Sequence, residues 1–542
     1  MIEFNKEQQS VIDCCSNKIL VMAGAGSGKT ATMVGKISKQ VDEGADPLSF
    51  LVLTFTRAAA LNMKERYLST HKNQVCPNFS TFHAFCYNLI CADLKVLHRL
   101  GYNTVPAICE ENEEKRIRQT AKLKASIKLS NRKLESGEYL SYSEKYEYEK
   151  YQKMLQRLMN NENKISFKKL MNDVVNLFIN DDDCILRYKK MYKYVYVDEF
   201  QDTDPIQWKF VQTFLDTANV LVVGDVLQNI YSFRGCTNKI IKSICTDNSW
   251  TSFHLSRNYR STVNIVSYAN ELSSTYSDMK YRVAMTSDRS GDAVSVIRLK
   301  HKKQFSESIQ DEEKYALKSV CTHLSGSVAI LARTNSEVSV IKQYLDDINV
   351  LYTESHKSSD VPSILHSVID NEYLMNWTSS FLKSEEYANY QRWLTLWIHD
   401  NDCKPTLKDY VDRYKRFSKI NCYLSSVFAI RKLLMSKITA RDKILKISQC
   451  LGISIQNTTD INESFSNGEI LRYILDRFND SIQSDIYVGT IHSVKGLEYD
   501  NVLLLGVNDK SWPLNTEDNL NLFYVGITRA KSKLYVFQYK ER

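Results

Sequence analysis

The sequence predicts an α/β protein with two sheets of parallel strands, each interrupted by a mainly helical insertion. Three observations lead there. Apolar runs of strand length recur along the chain: "KILVMAG", "SFLVLTFT", "KYVYVDE", "NVLVVGD", "AVSVIRL", "SVAILAR" and "NVLLLGV". Most are followed by apolar residues at helical spacing, as with Met33, Val34, Ile37 and Val41 after the first, and this alternation marks parallel sheets buried on both faces. Two long stretches, 91–189 and 351–481, carry no such runs and read as helical.

Taken in order, the first sheet draws on residues 1–90 and 190–262, and the second on 263–350 and 482–542. The stretch inside the first half, typified by "EKYEYEKYQKMLQRLMNN", suits either a charged, solvated helical arm or a basic arm laid along nucleic acid. A chain of 542 residues has room for several domain-sized units, and only 17 Gly and 7 Pro leave few breaks in long elements. Lys and Arg outnumber Asp and Glu by 71 to 63, and the resulting charge of +8 favours a polyanionic partner only where it is locally concentrated. The 13 cysteines include no C-x-x-C pair and no zinc-spaced His/Cys cluster, and their odd number argues against a closed disulfide framework. No apolar run reaches the roughly 18 residues of a membrane span, and no signal segment precedes "MIEFNKEQQS". The expectation is a soluble, intracellular, cytoplasmic protein with no membrane partner.

Chemistry concentrates first after "KILVM", in "AGAGSGKT" from Ala23 to Thr30. Small residues there let backbone N–H groups close around phosphate, Lys29 reaches the terminal phosphates, and Thr30 offers a hydroxyl to magnesium at a helix N-terminus. Ala23 stands where the strict phosphate-loop pattern has Gly, and a dinucleotide fingerprint fails because position 29 is Lys. In "YVYVDEFQDTDPIQ", Asp198 and Glu199 leave the end of a buried strand, so one carboxylate can hold the metal while its neighbour orients the attacking water. A third stretch, "LQNIYSFRG", alternates apolar and polar residues. Its Tyr231 and Phe233 could fill a core or face a flat ligand beside Arg234.

With "DEFQDT" in place, the chain resembles the superfamily 1 DNA helicases of the UvrD/Rep/PcrA type, whose motifs occur here in the family's order. They are "FNKEQQSVI", "LTFTRAAALNMKERY", "STFHAF", "VVGDVLQNIYSFRG", "LSRNYRST", "AILARTN", "GTIHSVKGLEYDNVLLLG" and "EDNLNLFYVGITRAKSKLYVF". The resemblance implies two RecA-like P-loop NTPase domains: 1A (1–90 plus 190–262) carrying insertion 1B (91–189), and 2A (263–350 plus 482–542) carrying a short insertion 2B (351–481). It implies ATP and Mg²⁺ as cofactors. Nucleotide contacts would come from Gln8, reading adenine, from Ala23, Gly24, Ala25, Gly26, Ser27, Gly28, Lys29, Thr30 and Ala31, from Tyr259, stacking on the base, and from Glu498, at the ribose. Thr30 and Asp198 would hold the metal. Gln228 would sense the γ-phosphate, and Arg260 and Arg529 would act as arginine fingers beside Lys29, Asp198 and Glu199.

On the nucleic-acid side the resemblance implies contacts from Phe55, Arg57, Thr81, Phe82, His83, Tyr231, Phe233, Arg234, Arg333, His492 and Lys495, with aromatics stacking on bases irrespective of sequence. A core role stays open for Phe55 and Phe82. His492 and Lys495 would link the DNA groove to the ATP site. Phe233 replaces the family's usual Trp and Arg57 its usual Asn, and relatives continue past "KLYVFQYKER" into a duplex-splitting hairpin and a tail. The expected activity is therefore an ATP-dependent single-stranded DNA translocase and helicase, 3′ to 5′ by resemblance, acting in DNA replication, repair or recombination, with single-stranded DNA, its junctions with duplex, and replication, repair or defence proteins as partners. The alternative is an ATP-gated DNA-binding or sensor subunit with little unwinding of its own. A small-molecule kinase is disfavoured by "DEFQDT" and the two distant arginines.

Overall fold

Every apolar run named above becomes a strand. The computed structural model describes residues 3–71, 75–109, 111–136, 141–231, 238–274, 281–299, 311–323, 325–350, 352–353, 430, 432–436, 438–451, 461–474, 486–508 and 512–539. In chain order the strands are β1 (Lys18–Ala23), β2 (Phe50–Thr54), β3 (Asn78–Thr81), β4 (Ala107–Ile108), β5 (Lys164–Ile165), β6 (Tyr194–Val197), β7 (Asn219–Gly224), β8 (Thr251–Leu255), β9 (Ser295–Leu299), β10 (Val328–Ala332), β11 (Ile486–Thr490), β12 (Tyr499–Val507) and β13 (Ala530–Tyr539).

A six-stranded sheet runs β3-β2-β6-β7-β1-β8, and all its pairings are parallel. β1 lies between β7 and β8, with Leu20 opposite Val222 on one side and Ser252 on the other. A second, five-stranded sheet runs β11-β10-β12-β13-β9, with β10 parallel to both β11 and β12. β2 and β10 are buried along their whole length, which is the signature of strands covered on both faces.

Helices supply the cover. Lys29–Asp42 crosses from β1 to β2 and buries Met33, Val34 and Ile37 on Ile19, Val21, Phe50 and Val52. Each such aliphatic side chain contributes roughly 1.5–3 kcal/mol on burial. Around the second sheet, Val338, Ile341 and Leu345 pack with Ile330, Val488, Leu503 and Phe537.

The first insertion is helical, as expected, with Ile117, Ala121, Tyr151, Leu155 and Met159 in a core of its own. It also contains the two-residue strands β4 and β5, paired in parallel, which are too short for an apolar run to announce. Among the described residues, no helix is long and apolar enough to cross a membrane.

Two compact units emerge. The first comprises Met1–Ser295, Val494–Glu498 and Pro513–Leu534, and the second Val296–Ser493, Tyr499–Trp512 and Tyr535–Arg542. The segments Val494–Glu498 and Pro513–Leu534, which the sequence groups with the second sheet, therefore pack with the first unit. Most of the second insertion lies outside the described residues.

Candidate nucleotide and nucleic-acid site

The first sheet brings the carboxyl ends of β6, β7, β1 and β8 side by side, and the loops that leave them hold the sequence-predicted nucleotide residues. In open α/β sheets this is the edge at which ligands bind, although Gln8, Glu498 and Arg529 come from other segments. The turn after β1 needs glycine at two positions, because Gly26 and Gly28 have φ of +66° and +80°. A Cβ on Gly28 would also meet Gln8 Nε2 at 2.7 Å, and one on Gly26 would meet Arg260 Cβ at 2.8 Å.

Backbone bonds close the loop from outside. Gly24 N–H donates to Leu255 O (3.0 Å), Tyr259 N–H to Gly26 O (2.9 Å), Asn258 Nδ2 to Ala25 O (2.7 Å) and Gln8 Nε2 to Ser27 O (3.1 Å). Asn258, a residue of "LSRNYRST" that no sequence pattern marks, also accepts from the N–H groups of Arg260 and Ser261. It thus locks β8's exit to the phosphate loop.

Thr30 lies in the first turn of the following helix, beside the acidic pair. Its Oγ1 donates to Asp198 Oδ2 (3.0 Å), and Lys29 Nζ lies 3.9 Å from Glu199 Oε2. Glu199 adopts φ +52°, a left-handed conformation uncommon for a residue with a side chain, at the start of the turn Phe200–Asp202. Gln201, also unremarked in the sequence, donates to Glu199 Oε2 (2.5 Å) and accepts from Asp225 N–H (3.0 Å), tying β6's exit to β7's. Burial, then the neighbouring Glu199 charge, pushes the Asp198 carboxyl up. Burial also opposes the Glu199 charge, but Lys29, Lys495, the Gln201 hydrogen bond and Arg529 together hold that carboxyl down.

The donor set suits Mg²⁺. A hydroxyl and a carboxylate are hard oxygen ligands, and Mg²⁺ usually takes only one or two protein carboxylates together with phosphates and water. Among the described residues no group of three or more His, Cys, Asp or Glu is arranged to hold a metal, so phosphate and water oxygens would have to complete the shell. Ser27 Oγ is buried in the phosphate loop with no hydrogen-bond partner, as expected of a group placed for a bound anion.

Gln228 is the junction of the site. Its Nε2 donates to Asp225 Oδ2 (2.8 Å), its Oε1 accepts from Arg529 Nη2 (3.1 Å), and its backbone carbonyl accepts from Lys495 Nζ (2.7 Å). Arg529 is 1 % exposed, and burial and then Arg260 bring its pKa down to about 9. Arg260 donates to Glu498 Oε2 (2.7 Å) and to Thr528 O (3.1 Å). Tyr259 is 43 % exposed, with the Arg257 guanidinium 5.4 Å from its ring centroid.

Lys495 also binds Asp202 Oδ2 (2.5 Å) and sits 4.9 Å from the centroid of the Tyr231 ring. Tyr231 in turn stacks on Phe55, with centroids 4.9 Å apart and planes 23° off parallel. Asp202, a member of "DEFQDT" not singled out by sequence, has its pKa raised by burial to about 6 despite Lys495.

The remaining predicted contacts are placed more variously. Arg57 is exposed at the start of the helix Arg57–Thr70. Thr81 caps the helix Phe82–Ala92 by accepting from Ala84 N–H (3.2 Å), and Phe82 is buried edge-on to Phe210. Its ring therefore belongs to the core. His83 packs edge-on against Phe167. Arg333 and His492 lie in the second unit, at the end of β10 and in the turn Ile491–Val494. Phe233 and Arg234 lie outside the described residues. The described part of "LQNIYSFRG" is not a strand, since Val226–Gln228 form a 3₁₀ turn and the chain continues irregularly to Tyr231.

Comparison with known proteins gives two family matches. The UvrD/REP helicase N-terminal domain matches residues 4–248, and the UvrD-like helicase C-terminal domain matches 253–402 and 398–541. Similar relatives include the ATP-dependent DNA helicase PcrA of Staphylococcus epidermidis, 26 % identical over 98 % of this chain and 83 % of the relative. The protein of the same name from Staphylococcus aureus is 25 % identical over 98 % of this chain and 82 % of the relative.

Proposed function

The chain belongs to the UvrD-like helicases, and from that membership we propose that it is a single-stranded DNA translocase, moving 3′ to 5′, that uses ATP to open duplex at junctions. The observation that carries the proposal is the unbroken series of contacts from the phosphate loop to an aromatic pair. Lys29 faces Glu199, Gln201 ties Glu199 to Asp225, Asp225 accepts from Gln228, Arg529 and Lys495 both meet Gln228, and Lys495 caps the Tyr231–Phe55 stack. ATP use follows from the family, and Mg²⁺ held by Thr30 and Asp198 is part of the proposal; bound there, it would neutralise phosphate charge.

In this reading the phosphate-loop N–H groups and Lys29 bind the triphosphate, and Tyr259 and Gln8 receive the base. Glu199, fixed by Gln201, orients the attacking water. Arg260 and Arg529 counter the charge that develops on the transferred phosphoryl group. When the γ-phosphate departs, Gln228 loses a partner, and Lys495, bonded to its backbone, passes the change to Tyr231. Exposed bases stack on such a platform without sequence preference. The division into 1A, 1B, 2A and 2B, and a setting in DNA replication, repair or recombination, belong to the same proposal.

Streptavidin release from biotinylated single strands tests it. Movement 3′ to 5′ strips streptavidin from a 5′-biotin and leaves a 3′-biotin untouched, only when ATP is present. Release from neither end would contradict translocation.

A further inference from the structure

Lys36 sits on the helix after the phosphate loop and is 2 % exposed. Its Nζ donates to Val11 O (3.2 Å), Ile12 O (3.3 Å) and Cys14 O (2.6 Å). These are the last carbonyls of the helix Lys6–Asp13 and its cap. Three ammonium donors thus meet three acceptors at a helix C-terminus, the end that favours a cation. Such satisfaction is what allows a buried charge, although burial still lowers the Lys36 pKa.

The opposite end of that helix carries Gln8. Asn5 and Gln8 cap each other reciprocally, with Asn5 N–H donating to Gln8 Oε1 (3.0 Å), while Gln8 Nε2 donates to Ser27 O (3.1 Å). Beside it, the Glu7 carboxylate accepts from Ser256 N–H (2.8 Å) and Oγ (2.5 Å). Eight residues make a helix of only about 12 Å, too short to hold its place or shape unaided. Its position is therefore set by these anchors together with the burial of Val11 and Ile12, and the 2.7 Å approach of Gln8 Nε2 to a Cβ on Gly28 shows how little slack the seat has.

After its two internal bonds the Gln8 carboxamide keeps one N–H and one oxygen lone pair. That is the complement of the N6/N7 edge of adenine, and guanine offers O6 in place of the N6 donor. We infer that Lys36 is a positioning residue for nucleotide selection: by gathering the C-terminal carbonyls of Lys6–Asp13, it seats Gln8 at the base. The inference rests on Gln8 reading the base.

The test is steady-state DNA-stimulated hydrolysis of ATP and of GTP by the full chain, its Gln8→Ala, Lys36→Met and doubly substituted variants, with melting curves for each. Lys36→Met is expected to raise KM for ATP about tenfold, roughly the worth of one hydrogen bond, with kcat at saturation within about twofold. ATP preference over GTP should fall by the same factor, and the double variant should be no worse than Gln8→Ala. A purely structural role would lower the active fraction, hence apparent kcat, at unchanged KM and preference; that result, or losses that multiply in the double variant, overturns the inference. Gln8→Ala with wild-type KM and preference would overturn the underlying reading of Gln8 instead. Should Lys36→Met not fold, Lys36→Gln, which retains two donors, takes its place with an intermediate KM expected and a wild-type KM and preference contradicting.

Discussion

Gln228 joins its near neighbour Asp225 to two partners from a distant part of the chain, Arg529 and Lys495, so it couples groups that no local pattern would connect. Arg529→Ala should leave nucleotide binding measurable while lowering turnover by about 10³ to 10⁵, as for a finger that acts on the transition state. Single-turnover hydrolysis measures this, and a loss of tenfold or less would return Arg529 to a structural role. Lys29→Ala should abolish DNA-stimulated hydrolysis with single-strand binding largely intact; retained turnover in a phosphate-release assay would remove Lys29 from the phosphate site. Gly28→Ala combines a left-handed backbone with a 2.7 Å approach to Gln8. It should cost about 1–3 kcal/mol of stability in denaturant unfolding, and an unchanged midpoint would show that the turn can relax. The residues that the sequence singled out at this scale, Lys29, Thr30, Asp198 and Glu199, sit in contiguous motifs and lie together in the structure. Asn258, Gln201 and Lys36 escaped because their work includes hydrogen bonds across 22 to 233 positions of chain, which spacing does not encode.

At the level of elements, the platform formed by Phe55 after β2 and Tyr231 after the turn Val226–Gln228 is the part most directly exposed to test. Tyr231→Ala should weaken single-strand affinity by roughly 1–3 kcal/mol per stacked base and loosen the ratio of ATP used to distance moved. Fluorescence anisotropy together with translocation kinetics would show it, and unchanged affinity and ratio would assign the ring to packing. The central strands were legible because they are buried on both faces, and "SFLVLTFT" became β2 and "NVLLLGV" part of β12. β8, "TSFHL", was not, because on the edge of its sheet four of its five residues keep solvent contact and need not be apolar. The alternation in "LQNIYSFRG" suggested a strand that its described part does not form. Val226, Leu227 and Ile230 are buried from a turn rather than from one face of a pleat.

For the whole molecule, the family matches run from residue 4 to residue 541, so both halves of the fold belong to one kind of machine. Packing of Val494–Glu498 and Pro513–Leu534 in the first unit places Lys495 and Arg529, which the sequence assigns to the later half, beside Gln228. In the proposed motor these remote segments would tie hydrolysis to work on DNA. Strand displacement on duplexes bearing a 3′ or a 5′ overhang, with ATP hydrolysis followed in the same reactions, tests this most directly. The account predicts ATP-dependent displacement from the 3′ overhang, none from the 5′ overhang, and none with Lys29→Ala; hydrolysis without displacement from either substrate would contradict it.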